Sequence, residues 1–430
     1  MSAVEVGKRH PVAYEQRGSR AGIRARGNDV LFARITPCLE NGKVAMLPVT
    51  AEPTGGSTEF IVIRPTTAVD PAFLYYWCLH PDVRNDAKHH MAGVTGRMRL
   101  AASDLAKFEF SLPPLPEQHR IVEALEDHLS RLDAAESILS SISRRTENLA
   151  AKILDDAILG HASNQPLSSL PAHLRGRHRF RYQDLPSLPE GWKWQLASDV
   201  CVSINSGSTP KADLMQQDRG EVPFLKVYNI DPAGSIDFTK NPTFVSRDTH
   251  RGQLKRSIAL PGDVVTNIVG PPLGKSAVVP DTFAEWNTNQ AIVSFRAGSP
   301  VRPAWLAVCL RSPFIVNLLK STAKATAGQF NIALSTCREL PLPVPPLDMQ
   351  DRLLEEIELT GSTLQHADSV QRPALRRSSV LRHAVLRTAF NGELVDQDPT
   401  DEPADIALAK IRDQASAAPR RRRRKESVPT

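Results

Sequence analysis

Apolar positions follow two periods along this chain. Between residues 116 and 159, Leu125, Leu132, Leu139 and Ile153 fall on one seven-residue row, and Ala135, Ile142 and Leu149 form a second row three positions along. A narrow stripe at this spacing predicts one long helix whose seam needs a partner helix. At roughly 1.5 Å per residue it would be about 65 Å long. Ile357, Leu364, Ala367, Leu381 and Val385 occupy matching rows in a second stretch, where Pro373 is expected to kink or break the helix. Gly160 and Gly392 stand where left-handed C-caps end helices. Elsewhere the apolar runs are short and bounded by Gly, Pro, Asn and Asp, which predicts strands. They are VAMLP, FIVIRP and FEFSLPP early in the chain, and PFLKVYNI, DVVTNIV, SAVVP, AIVSF and PLPVPP later. Two apolar helices, PAFLYYWCL (71–79) and PAWLAVCLRS (303–312), lie among them.

The pattern occurs twice. PPLPEQHRIVEALE begins at 113 and PPLDMQDRLLEEIE at 345, an offset of 232 with seven of fourteen positions identical. The same offset carries AILG (157–160) onto AFNG (389–392), Phe73-Leu74 onto Trp305-Leu306, and Gly96, Leu100, Ala101 and Ser103 onto Gly328, Ile332, Ala333 and Ser335. GNDVLFARI (27–35) resembles PGDVVTNIV (261–269) at an offset of 234. An internal repeat of this length is a duplicated module, each copy a mixed domain followed by a long helix. The predicted fold class is therefore α+β: two tandem mixed domains with small sheets, each followed by a long coiled-coil helix, an internal repeat. The boundaries read as a first domain at 1–114, a central spacer helix at 115–162, a linker at 163–189, a second domain at 190–344, a C-terminal spacer helix at 345–396 and a disordered basic tail at 397–430. Counting back one repeat length from Trp192 runs past Met1, so about forty residues of the first domain are expected to be missing.

Composition narrows the function classes. With 430 residues, 41% of them hydrophobic, the chain has material for more than one core. The net charge of +6 is concentrated, because Arg420 to Arg424 and Lys425 carry all of it and the rest balances at 47 basic and 47 acidic residues. Nucleic-acid contacts must then come from local patches, with the tail as a basic arm able to touch phosphates. Cys38, Cys78, Cys201, Cys309 and Cys337 have no CxxC spacing, so they are read as reduced, mostly buried thiols rather than a disulfide or zinc framework. No apolar run is long enough to span a bilayer and no signal peptide is evident, so the expected address is cytoplasmic.

Chemistry-bearing motifs are few. GPPLGKS (270–276) has three residues, two of them prolines, where a phosphate-binding loop needs four that supply N–H groups, so it is read as a turn between strands. His89-His90 is read as surface, and no metal-ligand spacing, dinucleotide fingerprint or nucleophile-base arrangement stands out. The chain is accordingly expected to be no enzyme, with no catalytic residue, no metal and no cofactor of its own.

Taken together, PPLPEQHRIVEALE and PPLDMQDRLLEEIE, LPEGWKWQLASDV (188–200), SGSTPK (206–211), AGQFNIALSTCRELPLPVPP (327–346) and VLRHAVLRTAFNGELV (380–395) resemble the specificity subunits of type I restriction-modification systems. The resemblance covers nearly the whole chain. It implies two target-recognition domains separated by two long antiparallel coiled-coil helices in a pseudo-two-fold internal repeat, each domain reading one half of a bipartite, asymmetric site on double-stranded DNA, with the helices spacing them. It also implies partners: modification subunits, two of them, which bind S-adenosylmethionine and methylate a flipped adenine at N6, and restriction subunits that use ATP and Mg. This chain would supply address and assembly only. The alternative is a degenerate, N-terminally truncated relative that binds modification subunits through its helices and no longer reads DNA.

Base edges are read mostly by Arg, Lys, Asn and Gln, and phosphates by Lys, Arg and N–H groups. By residue type and loop position, the candidate DNA-contacting residues are Ser208, Thr209, Lys211, Lys226, Asn229, Lys275, Gln329 and Asn331 in the second copy, with Arg34, Lys43, Arg97 and Arg99 in the first. Gln329 and Asn331 would equally suit a turn-capping role in TAGQFN.

Overall fold

The computed structural model describes residues 1–13, 22–49, 54–94, 96–160, 180, 185–326 and 329–417. The chain divides into two units, Met1–Ser140 with Gln371–Thr430, and Ser141–Val370. Both long helices begin in one unit and end in the other: Leu115–Leu159 and Leu347–Phe390.

In the first unit, an antiparallel sheet is ordered Val44–Met46, Val30–Ala33, Phe60–Ile63. Its central strand is buried on both faces because the sequence VLFA is apolar at every position. Val30 and Phe32 point into one cluster, Leu31 and Ala33 into another, as the two-residue period of a strand requires. The helix Pro71–Leu79 lies against this sheet and is buried from Ala72 to Cys78. Asp70 caps it, its Oδ1 accepting from the N–H groups of Ala72 and Phe73 at 2.9 Å, and Pro81 ends it by enforcing an extended His80. Phe73, Tyr75, Tyr76 and Trp77 meet Ile121, Leu125 and Leu129 of the central helix and Leu386 and Ala389 of the C-terminal helix in one cluster. Ser378 donates to Glu136 at 2.6 Å and Arg382 pairs with Asp133, so residue numbers fall along one helix as they rise along the other. The two segments are therefore antiparallel within this unit.

The second unit repeats this arrangement and adds to it. A four-stranded antiparallel sheet is ordered Ser276–Val278, Val264–Asn267, Ile292–Ala297, Cys201–Ser206. A five-stranded sheet follows the order Met215–Gln217, Thr243–Val245, Val222–Leu225, Trp286–Thr288, Ile258–Ala259, with one parallel pairing between the third and fourth. Helices Pro303–Arg311 and Pro313–Thr322 take the places of Pro71–Leu79 and Pro81–His89. The core gathers Trp194, Trp305 and Ile315 with Ile158 of the central helix, and Leu353, Leu354 and Ile357 of the C-terminal helix pack against it.

Two buried devices are reproduced almost atom for atom in the two units. Asp29 accepts from Arg64 Nε at 2.8 Å and Nη2 at 2.7 Å, and from the Arg26 N–H at 2.8 Å. Asp263 accepts from Arg296 Nε and Nη2 and from the Leu260 N–H, each at 2.8 Å. Gln118, fully buried, accepts from the Asp70 N–H at 2.8 Å and donates to the carbonyls of Ala68 and Pro113 at 2.9 Å. Gln350, also fully buried, accepts from the Arg302 N–H and donates to the carbonyls of Pro300 and Pro345, all at 2.9 Å. The repeated PPLxxQ motif is thus the joint between each domain and the helix that follows it.

Several expectations are corrected. Pro373 does not break the C-terminal helix, which runs unbroken through it. It costs one intrahelical bond, and the turns beyond it are held by the Ser378 and Arg382 contacts with the central helix. Among the packing rows, Leu125 is fully buried, and Leu132, Leu139, Ile153, Ile357, Leu364 and Val385 are half-buried, whereas Ile142 (40% exposed), Leu149 (49%) and Leu381 (51%) face solvent. A helix of 3.6 residues per turn drifts about 20° per heptad, so a strict seven-residue row leaves the contact face. Burial instead follows Ile121, Leu125, Leu129, four residues apart. FEFSLPP forms no strand, because the partner used by its counterpart Pro341–Val344, the strand Lys193–Leu196, has no equivalent among the described residues of the first unit. Phe180 and Leu185, inside the stretch read as a linker, are buried in the second unit's core; most of 163–184 lies outside the described residues. The tail from 397 is not disordered throughout: Ala404–Ala417 is helical, and Asp401 bonds Arg120 at 2.8 Å. Arg420 to Lys425 lie outside the described residues.

Gly160 and Gly392 do end the long helices, at φ +58° and +77°. At Gly392 the Glu393 N–H reaches the Thr388 carbonyl and the Gly392 N–H reaches that of Ala389, the paired bonds of a left-handed cap.

Candidate nucleic-acid interface

Antiparallel pairing brings alternate strand ends to the same edge of a sheet. In the second unit, Cys201–Ser206 and Val264–Asn267 end, and Ser276–Val278 and Ile292–Ala297 begin, at one such edge. Their loops therefore form a single rim: 207–211, 268–275 and 289–291. Ser208, Thr209, Lys211 and Lys275 all lie on it. The hairpin Lys324–Thr326 with Gln329–Asn331 joins the rim through a bridge between Val269 and Asn331 and a bond from the Gly270 N–H to the Phe330 carbonyl at 3.1 Å. Lys226, at the end of Val222–Leu225, is adjacent because the Asn289 N–H donates to the Leu225 carbonyl at 3.0 Å.

The loops are fixed by local hydrogen bonds. Asn267 holds the 268–275 turn from inside: its amide donates to the carbonyls of Pro272 (2.8 Å) and Val269 (3.3 Å), and its Oδ1 accepts from the Lys275 N–H (3.0 Å). GPPLGKS is thus a strand-to-strand turn. Thr209 Oγ1 accepts from the Gln290 N–H at 3.2 Å, and the Ser208 N–H donates to the Thr288 carbonyl at 3.0 Å. Gly207 is required where the two loops touch, since a Cβ there would lie 2.0 Å from the Asn289 carbonyl oxygen.

The first unit has the equivalent edge. Val30–Ala33 ends, and Val44–Met46 and Phe60–Ile63 begin, beside Arg34 and Lys43. Ile35 bridges to Arg99, as Val269 does to Asn331. Arg97 is exposed on the hairpin Ala92–Val94 with Arg97–Arg99.

Not every candidate is free to bind. Asn229 is 1% exposed and fully committed: its amide donates to the carbonyls of Asp237 (3.2 Å) and Lys240 (2.8 Å), and its Oδ1 accepts from the Lys226 N–H (3.1 Å). It is a turn-holding residue, and its polarity gave no sign of that burial. Arg99 is clasped by Glu59 through three contacts of 2.7–3.2 Å. The Arg99 guanidinium holds the Glu59 carboxyl below its ordinary range, and Glu59 in turn raises Arg99. Lys43 Nζ reaches the Met1 carbonyl at 3.4 Å, and Lys226 lies 5.8 Å from the Tyr228 ring centre. Lys211 is exposed, Lys275 and Arg34 are half-buried, and Asn331 is exposed.

Residues missed from the sequence are Glu59 and the Asn289-Gln290 pair. The signal that could have found them is their place just before an apolar strand, AIVSF or FIVIRP, whose first residue marks the rim. The five cysteines are free thiols. Burial pushes Cys201 and Cys337 up to about 12, which leaves them protonated and poor nucleophiles. Among the described residues no group of acidic, His or Cys side chains is arranged to hold a metal, and no helix is long and apolar enough to cross a membrane.

Known proteins are similar to this chain in sequence and in fold. Residues 18–144 match the family described as type I restriction modification DNA specificity domain. The chain is 22% identical over 433 residues to the type I restriction enzyme EcoEI specificity subunit of Escherichia coli, covering 83% of this chain and 72% of that one. It is 20% identical over 383 residues to the EcoDI specificity subunit of Escherichia coli, covering 84% and 81%. A chain from a structure concerned with assembly and conformational transition of the type I R-M system superposes with a TM-score of 0.69 at 22% identity, covering 91% of this chain and 90% of that chain.

Proposed function

We propose that this chain, a relative of the type I restriction-modification specificity subunits, supplies the DNA address of such a complex, each of its two rims reading one half of a split site. The observation that carries this reading is the doubled rim. Both units present polar and basic side chains from the same sheet edge, and both brace the domain with the same Asp–Arg pair and the same buried glutamine. Duplicated readers within one chain are free to diverge, so the two halves of the site need not match, unlike the half-sites bound by a symmetric dimer. The side chains on the rims have the chemistry for DNA, because Lys and Arg neutralise phosphates while Ser, Thr, Asn and Gln reach base edges.

Assembly belongs to the long helices in this reading. Leu149 and Leu359, and in the other unit Val380 and Leu381, are large apolar side chains left exposed on them at 49%, 74%, 68% and 51%. They provide anchors for modification subunits, and restriction subunits join through those. Methyl transfer from S-adenosylmethionine and ATP- and Mg-dependent steps take place on the partner subunits, while this chain holds and positions.

Long-read mapping of N6-methyladenine in the host genome, with and without the gene, tests the reading. The expected result is a split motif that disappears on deletion. A methylation map unchanged by deletion would refute DNA addressing, and co-purification of modification subunits with this chain would then leave it as a scaffold.

A further inference from the structure

We infer that Gln290 is a base-reading residue of the second unit, contacting an adenine edge in the major groove, and that Thr209 is the residue that positions it. This inference rests on the DNA-addressing reading above. Gln290 sits in the short turn between Trp286–Thr288 and Ile292–Ala297, on the rim already described. Its side chain is exposed, and among the described residues its amide has no hydrogen-bond partner.

The backbone beneath it is held at four points. The Gln290 N–H donates to Thr209 Oγ1 (3.2 Å), the Asn289 N–H to the Leu225 carbonyl (3.0 Å), the Ser208 N–H to the Thr288 carbonyl (3.0 Å) and the Gly207 N–H to the Ile292 carbonyl (2.8 Å). An exposed amide on so fixed a turn loses little backbone entropy when it binds, which is the condition for a discriminating contact. The turn also holds polar atoms that its own fold leaves unmatched: the hydroxyl of Thr288, a residue 1% exposed, and Asn289 Oδ1 are buried without a partner among the described residues. Lys211, Lys226 and Lys275 on the neighbouring loops supply positive charge for the flanking phosphates.

The ligand class follows from the side chain. A primary amide matches the N7 acceptor and N6 donor of adenine with one donor and one acceptor, and no other base offers that pair in the major groove. Replacing the amide by a carboxylate removes the donor and favours the N4 amino group of cytosine.

The test uses the full chain in complex with its modification subunits, with the methylated motif read by long-read sequencing. Gln290→Ala is expected to relax one position of the motif, with the preference for its base falling about tenfold or more while every other position is kept. Gln290→Glu is expected to move that same position toward cytosine, and Thr209→Val to relax it partially without a new preference. Thermal unfolding should be unchanged in Gln290→Ala, since the side chain is exposed and its amide makes no hydrogen bond among the described residues. A motif identical at every position in Gln290→Ala and Gln290→Glu overturns the assignment and leaves the DNA-addressing reading intact. Relaxation spread evenly over all positions also overturns it, and absence of any split motif with the unsubstituted chain overturns both.

Discussion

Gln118 and Gln350 are the residues on which the architecture turns. Each is fully buried and uses both ends of its amide to tie the proline-rich entry of a long helix to the loop before an apolar helix. Truncation leaves an N–H and two carbonyls around a buried site unmatched, so Gln118→Ala or Gln350→Ala should each cost about 2–3 kcal/mol. Urea unfolding followed by tryptophan fluorescence measures this, and a loss well under that figure would show that water replaces the amide freely. Asp29 adds a dependence on pH. Burial alone would raise its carboxyl, but hydrogen bonds from Arg64 and the Arg26 N–H outweigh burial and leave it below the ordinary value. A carboxylate whose folded-state pKa is depressed stabilises the fold in full above its unfolded value of about 4, and that contribution disappears as pH falls through the lower folded value. Asp29→Asn should therefore be less stable than the parent at pH 7 and closer to it at pH 3, as thermal melts at the two pH values would show. At the rim, Glu59→Gln should free Arg99 and raise duplex affinity, most clearly at low salt, in an anisotropy titration.

Among the elements, the long helices show what sequence pattern does and does not encode. Their existence and glycine ends were legible, because apolar spacing and C-cap chemistry are local properties. The residues that pack were only partly legible. Leu125 lies on the predicted row and is buried, whereas Leu149 and Leu381 lie on predicted rows and are exposed, and Leu129, Leu386 and Ala389 are buried without having been singled out. Packing there is decided by the domain that wraps each helix end, through Phe73, Tyr76 and Trp77, rather than by a heptad seam alone. The contrast gives a paired prediction. Leu125→Ala should destabilise the chain by about 3 kcal/mol, and Leu149→Ala should leave stability within about 0.5 kcal/mol while weakening capture of modification subunits. Chemical denaturation and co-purification read the two effects separately. The rim was legible in residue type but not in commitment. Asn229 and Lys211 look alike as polar loop residues, and only the three-dimensional turn of 226–240 shows that Asn229 is spent inside the protein.

For the whole molecule, duplication is the organising fact, and it was legible because a nearly constant offset, 232 over most of the repeat and 234 at its start, survives where individual residues have changed. Arg99 and Asn331 share a place in the fold without sharing chemistry, as the proposed reading of two unlike half-sites requires. Hydroxyl-radical footprinting of the complex with modification subunits, on duplex carrying the methylated site, tests this most directly. Two protected tracts separated by an unread gap are expected, with Arg34→Ala/Lys43→Ala erasing one tract and Lys211→Ala/Lys275→Ala erasing the other. A single uninterrupted tract, or loss of both tracts with either pair of substitutions, would contradict that reading.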